Sequence, residues 1–277
     1  QGCLNEPLSV SYRHLFFQNA DTHQQICPCW ILTTLLELCE LCYKVSLPCM
    51  SDSGSFHGKN EFRQNFFDRE SCTYTYLLAD VNSKEAVLID PVFELAERDF
   101  QILKELNLKL KYASNFEGMI PECRSVIAKS SGARADILVE PGSSIVFGHT
   151  NGCVTYVCHE QGIAFTGDTL LIRGCGRTDF QEGCPRMLYN SVHSQIFTLP
   201  DNFKLYPAHD YKGLTVTTVG EEKLYNARLT KTMDEFVQIM ENLNLAYPKK
   251  IDVAVPSNRV CGIQELLGTE KNSGNTS

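Results

Sequence analysis

Three short segments of this chain each set a metal-binding side chain at a turn or beside an apolar, strand-like run, and together they restrict the folds open to it. They are Gly148-His149-Thr150-Asn151-Gly152-Cys153, Phe165-Thr166-Gly167-Asp168 and Tyr206-Pro207-Ala208-His209-Asp210. A metal site gathered from segments so far apart needs rigid scaffolding whose strand ends converge. Glycines flank the imidazole of the first segment, so the backbone there can bend and approach closely. Taken singly, His149 reads as a surface histidine and Asp168 as an ordinary strand-end carboxylate. Taken with His209 they form a His/Asp/His set, which iron(II), manganese and zinc all accept. No stretch of the chain carries two closely spaced histidines.

The scaffold is legible from residue 62 onward. Residues 73–78 and 86–90 read as two strands about the polar turn Asn82-Ser83-Lys84, and Pro91 ends the second. Phe100, Leu103 and Leu106 give residues 96–106 the spacing of an amphipathic helix. Short strands are expected at 110–113, 125–128, 137–139, 144–147, 154–157 and 163–165, with helices at 186–197 and 233–243. Many short strands followed by helices predict an α+β or α/β sandwich.

The first 60 residues differ in character. Six of the chain's 13 cysteines, Cys3, Cys27, Cys29, Cys39, Cys42 and Cys49, fall in the first 50 positions. Cys27-Pro28-Cys29 and Cys39-Glu40-Leu41-Cys42 lack the second pair that a zinc ribbon requires, so reduced thiols are expected. The apolar run at 26–36 is too short for a membrane span, and Glu37, Glu40 and Lys44 interrupt its extension. Few arginines precede residue 60, unlike a mitochondrial transit peptide. Residues 1–60 are therefore read as an unmatched, unstructured leader ending in a linker at 51–55. A domain at 61–265 and a disordered polar tail at 266–277 follow. The net charge of −8, without any Lys/Arg cluster, excludes a nucleic-acid binder of the usual basic kind.

A glycine-rich loop follows Asp168 and carries Arg173, Arg177 and Asp179. The planar fork of an arginine suits carboxylates, so two beside a metal fit an acidic small molecule. An Arg177–Asp179 ion pair is the simpler alternative. Cys175 reads as a buried, inert thiol.

These segments resemble the mitochondrial persulfide dioxygenase family, in the glyoxalase II branch of the metallo-β-lactamase superfamily. The specific runs are Phe165-Thr166-Gly167-Asp168, then Ile172-Arg173-Gly174-Cys175-Gly176-Arg177-Thr178-Asp179-Phe180, and Tyr206-Pro207-Ala208-His209-Asp210-Tyr211. The likeness covers most of residues 62–262. It implies an αββα sandwich with one Fe(II) per chain, held by two histidines and an aspartate, that oxidises glutathione persulfide with O₂ to sulfite and glutathione in the mitochondrial matrix. It implies His149 and Asp168 as two of the three metal ligands, His209 just outside the ligand set, and Arg177 and Tyr211 as residues that grip glutathione. It implies no nucleic-acid or membrane partner and is compatible with a homodimer.

The chain departs from the family pattern at two places. The histidine-rich loop expected after the strand at 110–113 is absent: Ser114-Asn115 runs through Phe116-Glu117-Gly118-Met119 into Ile120. A strand expected before His149 is also missing, since Phe147 abuts Gly148, and Asn151 stands where a proline is usual. The expected sandwich is thus incomplete, its Fe(II) weakly held and its sulfite formation slight. A non-catalytic glutathione- or thiol-binding relative and a zinc thioester hydrolase of the glyoxalase II type are the alternatives.

Overall fold

Strand Thr73–Asp80 is buried along its whole length, so both of its faces are covered, and the layers are built around it. The computed structural model describes residues 61–113, 123–140, 145–147, 150, 153–180, 183–248 and 251–259. The expected leader and tail, the segment at 114–122 and His149 lie outside the described residues. All described residues belong to one unit, Glu37–Ser277.

The first sheet holds six strands in sequential order: β1 (Glu61–Asp68), β2 (Thr73–Asp80), β3 (Glu85–Ile89), β4 (Lys109–Ala113), β5 (Arg124–Ala128) and β6 (Ile137–Val139). Antiparallel pairing joins β1 to β2 and β2 to β3, and β3 to β6 run parallel. Helix α1 (Ala96–Glu105) supplies the crossover between β3 and β4. It buries Ala96 and Leu103 against Leu77, Ala79, Leu88 and Leu110. Leu103 and Leu106 of the predicted face join this core, whereas Phe100 is only partly buried and its ring centre lies 4.0 Å from Lys104 Nζ.

The second sheet has five strands in the order β11-β10-β9-β8-β7: β7 (Ile145–Phe147), β8 (Val154–Cys158), β9 (Ile163–Gly167), β10 (Lys204–Pro207) and β11 (Thr217–Thr218). Helices α2 (Pro185–Ser191) and α4 (Met233–Glu241) cover it, packing Leu188, Val192, Ile196, Phe236 and Met240 with Ala164 and Leu205. Helices α3 (Val219–Tyr225) and α5 (Ile251–Arg259) complete the described α-helices. The two sheets meet through aromatic side chains, the usual way for stacked sheets to share one core. Tyr76 of β2 lies 5.0 Å from Phe165 and 5.7 Å from Tyr206, ring centre to ring centre. Its hydroxyl donates to the Pro207 carbonyl at 2.6 Å. The αββα sandwich expected from the sequence is the fold observed.

Among the described residues, the strand expected before His149 has no counterpart: β7 pairs directly with β8, with Phe147 opposite Val154. The helix expected at 186–197 is two pieces. After α2 the chain widens into a π turn, Val192–Ile196, in which the Phe197 amide donates to the Val192 carbonyl at 2.8 Å. Val192 and Ile196 are both fully buried at the turn's ends. Strands β1 and β11 and helices α3 and α5 are not among the elements read from sequence. In β1, polar residues interrupt the apolar ones, and α3 is only seven residues long, capped by the Thr218 hydroxyl.

Candidate metal and substrate site

Strands β9 and β10 are parallel neighbours, so both end at the same edge of the second sheet. Gly167 pairs with Pro207, and the Ala208 amide donates to the Gly167 carbonyl at 3.0 Å. That register sets Asp168 beside His209. Gly167 takes φ +53°, and a Cβ there would stand 3.1 Å from the Cys153 sulfur. A glycine is therefore needed on two counts, the left-handed backbone and the close approach.

The two side chains are bonded: His209 Nδ1 lies 2.6 Å from Asp168 Oδ1, with each side chain 27% exposed. The other ring nitrogen, Nε2, lies 3.1 Å from Thr73 Oγ1. The first sheet reaches this site at the start of β2. Its Tyr74 amide donates to the Ala208 carbonyl at 2.7 Å, and the Asp210 amide donates to the Cys72 carbonyl at 3.2 Å. Beyond Thr73 a hydroxyl chain continues, with Ser71 Oγ 2.6 Å from Thr73 Oγ1 and 2.5 Å from Asp68 Oδ2.

A second carboxyl, not singled out from the sequence, joins the site at the end of β3. Burial pushes Asp90 up to about 6, the Asp168 carboxylate adds to the rise, and His209 opposes it. A neighbouring carboxylate charge disfavours ionisation of Asp90. Asp90 has φ +52°, and its carbonyl accepts from the Thr75 hydroxyl at 2.9 Å. The signal in sequence was the Ile89-Asp90-Pro91 strand end. The role of Thr73 left no such signal, because it depends on two sheets meeting.

Arg177 is paired. Its Nε and Nη2 donate to Asp179 at 2.7 and 2.6 Å, and Nη1 donates to the Ala246 carbonyl at 2.9 Å. Its guanidinium lies 4.4 Å from the centre of the Phe180 ring, and Phe180 meets Tyr247 edge-on. Tyr211 is 72% exposed. Its hydroxyl is nonetheless raised above the ordinary phenol value, by partial burial first, then by Asp168 and Cys72, with Arg177 opposing. Tyr211, Asp168 and Arg177 are therefore electrostatic neighbours. Cys175 is buried beneath the loop, and its thiol is pushed up to about 11 by burial, with Arg228 opposing. That agrees with an inert thiol.

Among the described residues, the donors do not complete an iron site. A single Fe(II) of this kind takes two imidazoles and a carboxylate at one point. Among the described residues no three His, Cys, Asp or Glu side chains gather as a metal cluster. The histidines after residue 60 are His149, His159, His193 and His209. His159 follows β8, away from Asp168, with its ring 6.0 Å from Phe203. His193 stacks on Tyr189 and bonds the Leu229 carbonyl at 3.0 Å. Among these, His209 and the undescribed His149 are left to accompany Asp168. Among the described residues, no helix is long and apolar enough to cross a membrane.

Residues 138–230 match the metallo-beta-lactamase superfamily. The mouse persulfide dioxygenase ETHE1, a mitochondrial protein by its name, is 54% identical over 225 residues, which span 73% of this chain and 89% of the relative. A crystal structure of ETHE1 from Myxococcus xanthus superposes with a TM-score of 0.68 at 42% identity, covering 73% of this chain and all of that one. The hydroxyacylglutathione hydrolase GloC of Haemophilus influenzae is 36% identical over 100 residues, 36% of this chain and 42% of that enzyme.

Proposed function

This chain belongs to the ETHE1 persulfide dioxygenase family of the metallo-β-lactamase superfamily, and from that membership we propose that it oxidises glutathione persulfide. Glutathione persulfide, O₂ and water give glutathione and sulfite, so the terminal sulfur takes up the oxygen and the carrier thiol leaves intact. The chain is an oxidoreductase. The observation that carries this reading is the 54% identity to ETHE1 over 225 residues, against 28% over 192 residues for a hydroxyacylglutathione hydrolase. The Arg173–Phe180 run supports the same choice.

In this reading the metal is iron, which would supply the O₂ chemistry when bound. His149 and Asp168 would hold it, with His209 orienting the Asp168 carboxylate through their hydrogen bond. Arg177 and Tyr211 hold the glutathione moiety: a carboxylate of the tripeptide displaces Asp179 from the Arg177 fork, and Tyr211 borders the persulfide end. The relatives' mitochondrial names support a place in the mitochondrial matrix.

The test is sulfite formation and bound iron in two proteins. One is the native chain. The other has residues 116–119 replaced by a relative's histidine-rich loop. The replacement is expected to raise both readouts, by at least ~10-fold in iron affinity, because it restores a missing ligand. Equal values would mean that another residue completes the site. An iron-loaded replacement protein that forms no sulfite would overturn the assignment.

A further inference from the structure

We infer that Glu222 is a positioning residue for the substrate loop: its buried carboxylate locks Arg173 in a left-handed turn and so sets where Arg177 emerges. This rests on the reading of Arg177 as a glutathione-binding residue.

The geometry begins at a strained residue. Leu171 and Gly174 form a tight turn, with the Leu171 amide donating to the Gly174 carbonyl at 3.1 Å and the Gly174 amide returning to Leu171 at 2.9 Å. Arg173, inside that turn, takes φ +64°. A side chain disfavours this region, and a glycine would be the unstrained choice. The arginine is kept there by contacts from α3.

Glu222 is fully buried. Its carboxylate accepts from the Arg173 amide at 3.2 and 3.0 Å and from Arg173 Nη1 at 3.0 Å. Thr217 Oγ1 lies 2.8 Å from one of its oxygens and Asn226 Nδ2 2.7 Å from the other. Every lone-pair direction is engaged, as a desolvated carboxylate requires. Glu221 takes the remaining arm of the Arg173 guanidinium.

The clamp continues along the loop. Asn226 Nδ2 donates to the Gly174 carbonyl at 2.9 Å, and Arg228 Nη1 donates to the Cys175 carbonyl at 3.2 Å. The Gly176 amide then donates to the Asp168 carbonyl at 2.7 Å, closing the loop onto the candidate ligand. Residues 173, 174 and 175 are thus held in succession, and Arg177 leaves from the fixed end. A residue that served stability alone would not need to hold the stretch between Asp168 and Arg177.

The experiment is hydrogen exchange by mass spectrometry on the full chain with Glu222→Gln, which keeps the shape and removes the charge. Amides at 171–178 should exchange at least ~10-fold faster, and by a larger factor than those of β2 and β3. Adding Arg173→Gly to that variant should slow loop exchange again, because glycine takes the left-handed turn without strain. Unchanged loop exchange, or an equal rise in β2 and β3, overturns the proposal, as does failure of the glycine to restore protection. Calorimetric titration with glutathione reads the functional arm, where Glu222→Gln should weaken binding about 10-fold. If the native chain binds no glutathione, the reading of Arg177 fails, and the exchange pattern still decides the role of Glu222.

Discussion

Arg173 and Arg177 stand in one loop and each pairs with carboxylate, yet the pairs differ in the depth of the acid. Glu222 is 0% exposed, whereas Asp179 is 52% exposed. A buried carboxylate must have its oxygens satisfied within the protein, and removing its partners leaves a desolvated charge. An exposed one exchanges a protein donor for water at little cost. The first arrangement is architecture. In the second, the Arg177 fork holds an acid that is already half in solvent, as the proposed glutathione contact requires. The acid's burial, more than the number of bonds, separates a structural arginine from one whose partner can be exchanged.

The largest expected effect is at Glu222→Ala. Four donor groups lose their acceptor inside the protein, a loss of roughly 3–5 kcal/mol by analogy with broken buried ion pairs. That corresponds to a fall of roughly 6–20 °C in melting temperature for a domain of this size. Thermal unfolding followed by circular dichroism reads it. A fall below about 2 °C would erase the distinction between the two arginines.

Asp168 and His209 lie between the extremes, each 27% exposed. His209→Ala removes the bonds to Asp168 and Thr73, with an expected loss of about 1–2 kcal/mol. Its melting temperature should therefore fall between those of Glu222→Ala and Arg177→Ala, and any other order would break the dependence on burial. Arg177→Ala should change stability by less than about 1 kcal/mol. The same variant should bind glutathione at least ~10-fold more weakly, the scale of a lost charge-assisted hydrogen bond. Calorimetry with glutathione separates the two readouts.

The parts of this site that could be read from sequence are those whose chemistry is local. Phe165-Thr166-Gly167-Asp168 and Tyr206-Pro207-Ala208-His209 each announce a strand and the side chain at its end. The parallel register that makes them neighbours is a property of the sheet. Thr73 and Ser71 sit at the start of β2 and become site residues only because that strand end meets His209. Glu222 was the hardest to find. Val219-Gly220-Glu221-Glu222 has the composition of a solvated helix start, and acidic residues there complement the helix dipole without tertiary contacts. Only the fold shows that Glu221 faces outward enough to be 40% exposed while its neighbour is buried. Strand β1 escaped for a similar reason: its pairing with β2 supplies what its mixed sequence does not. The αββα layering, by contrast, followed from the strand and helix pattern together with the family motifs.

The smallest expected effect is a pH dependence, and its sign follows from the same exposed pair. The Arg177 hydrogen bond holds the Asp179 carboxyl below its ordinary value of 3.8, with slight burial opposing. A carboxyl whose folded value is depressed contributes stability above the unfolded value and loses it as pH falls through the folded one. Because Asp179 is half exposed, solvent screening limits that contribution to less than about 1 kcal/mol. Asp179→Asn should therefore lie slightly below the native chain in stability near neutral pH, and the gap should narrow as pH falls below the ordinary carboxyl value of 3.8 into the acid range. Urea unfolding near neutral pH and in the acid range measures the gap. A gap that widens toward acid would reverse the sign. A gap of several kcal/mol near neutrality would mean that the Arg177 pair is as structural as the Arg173 clamp.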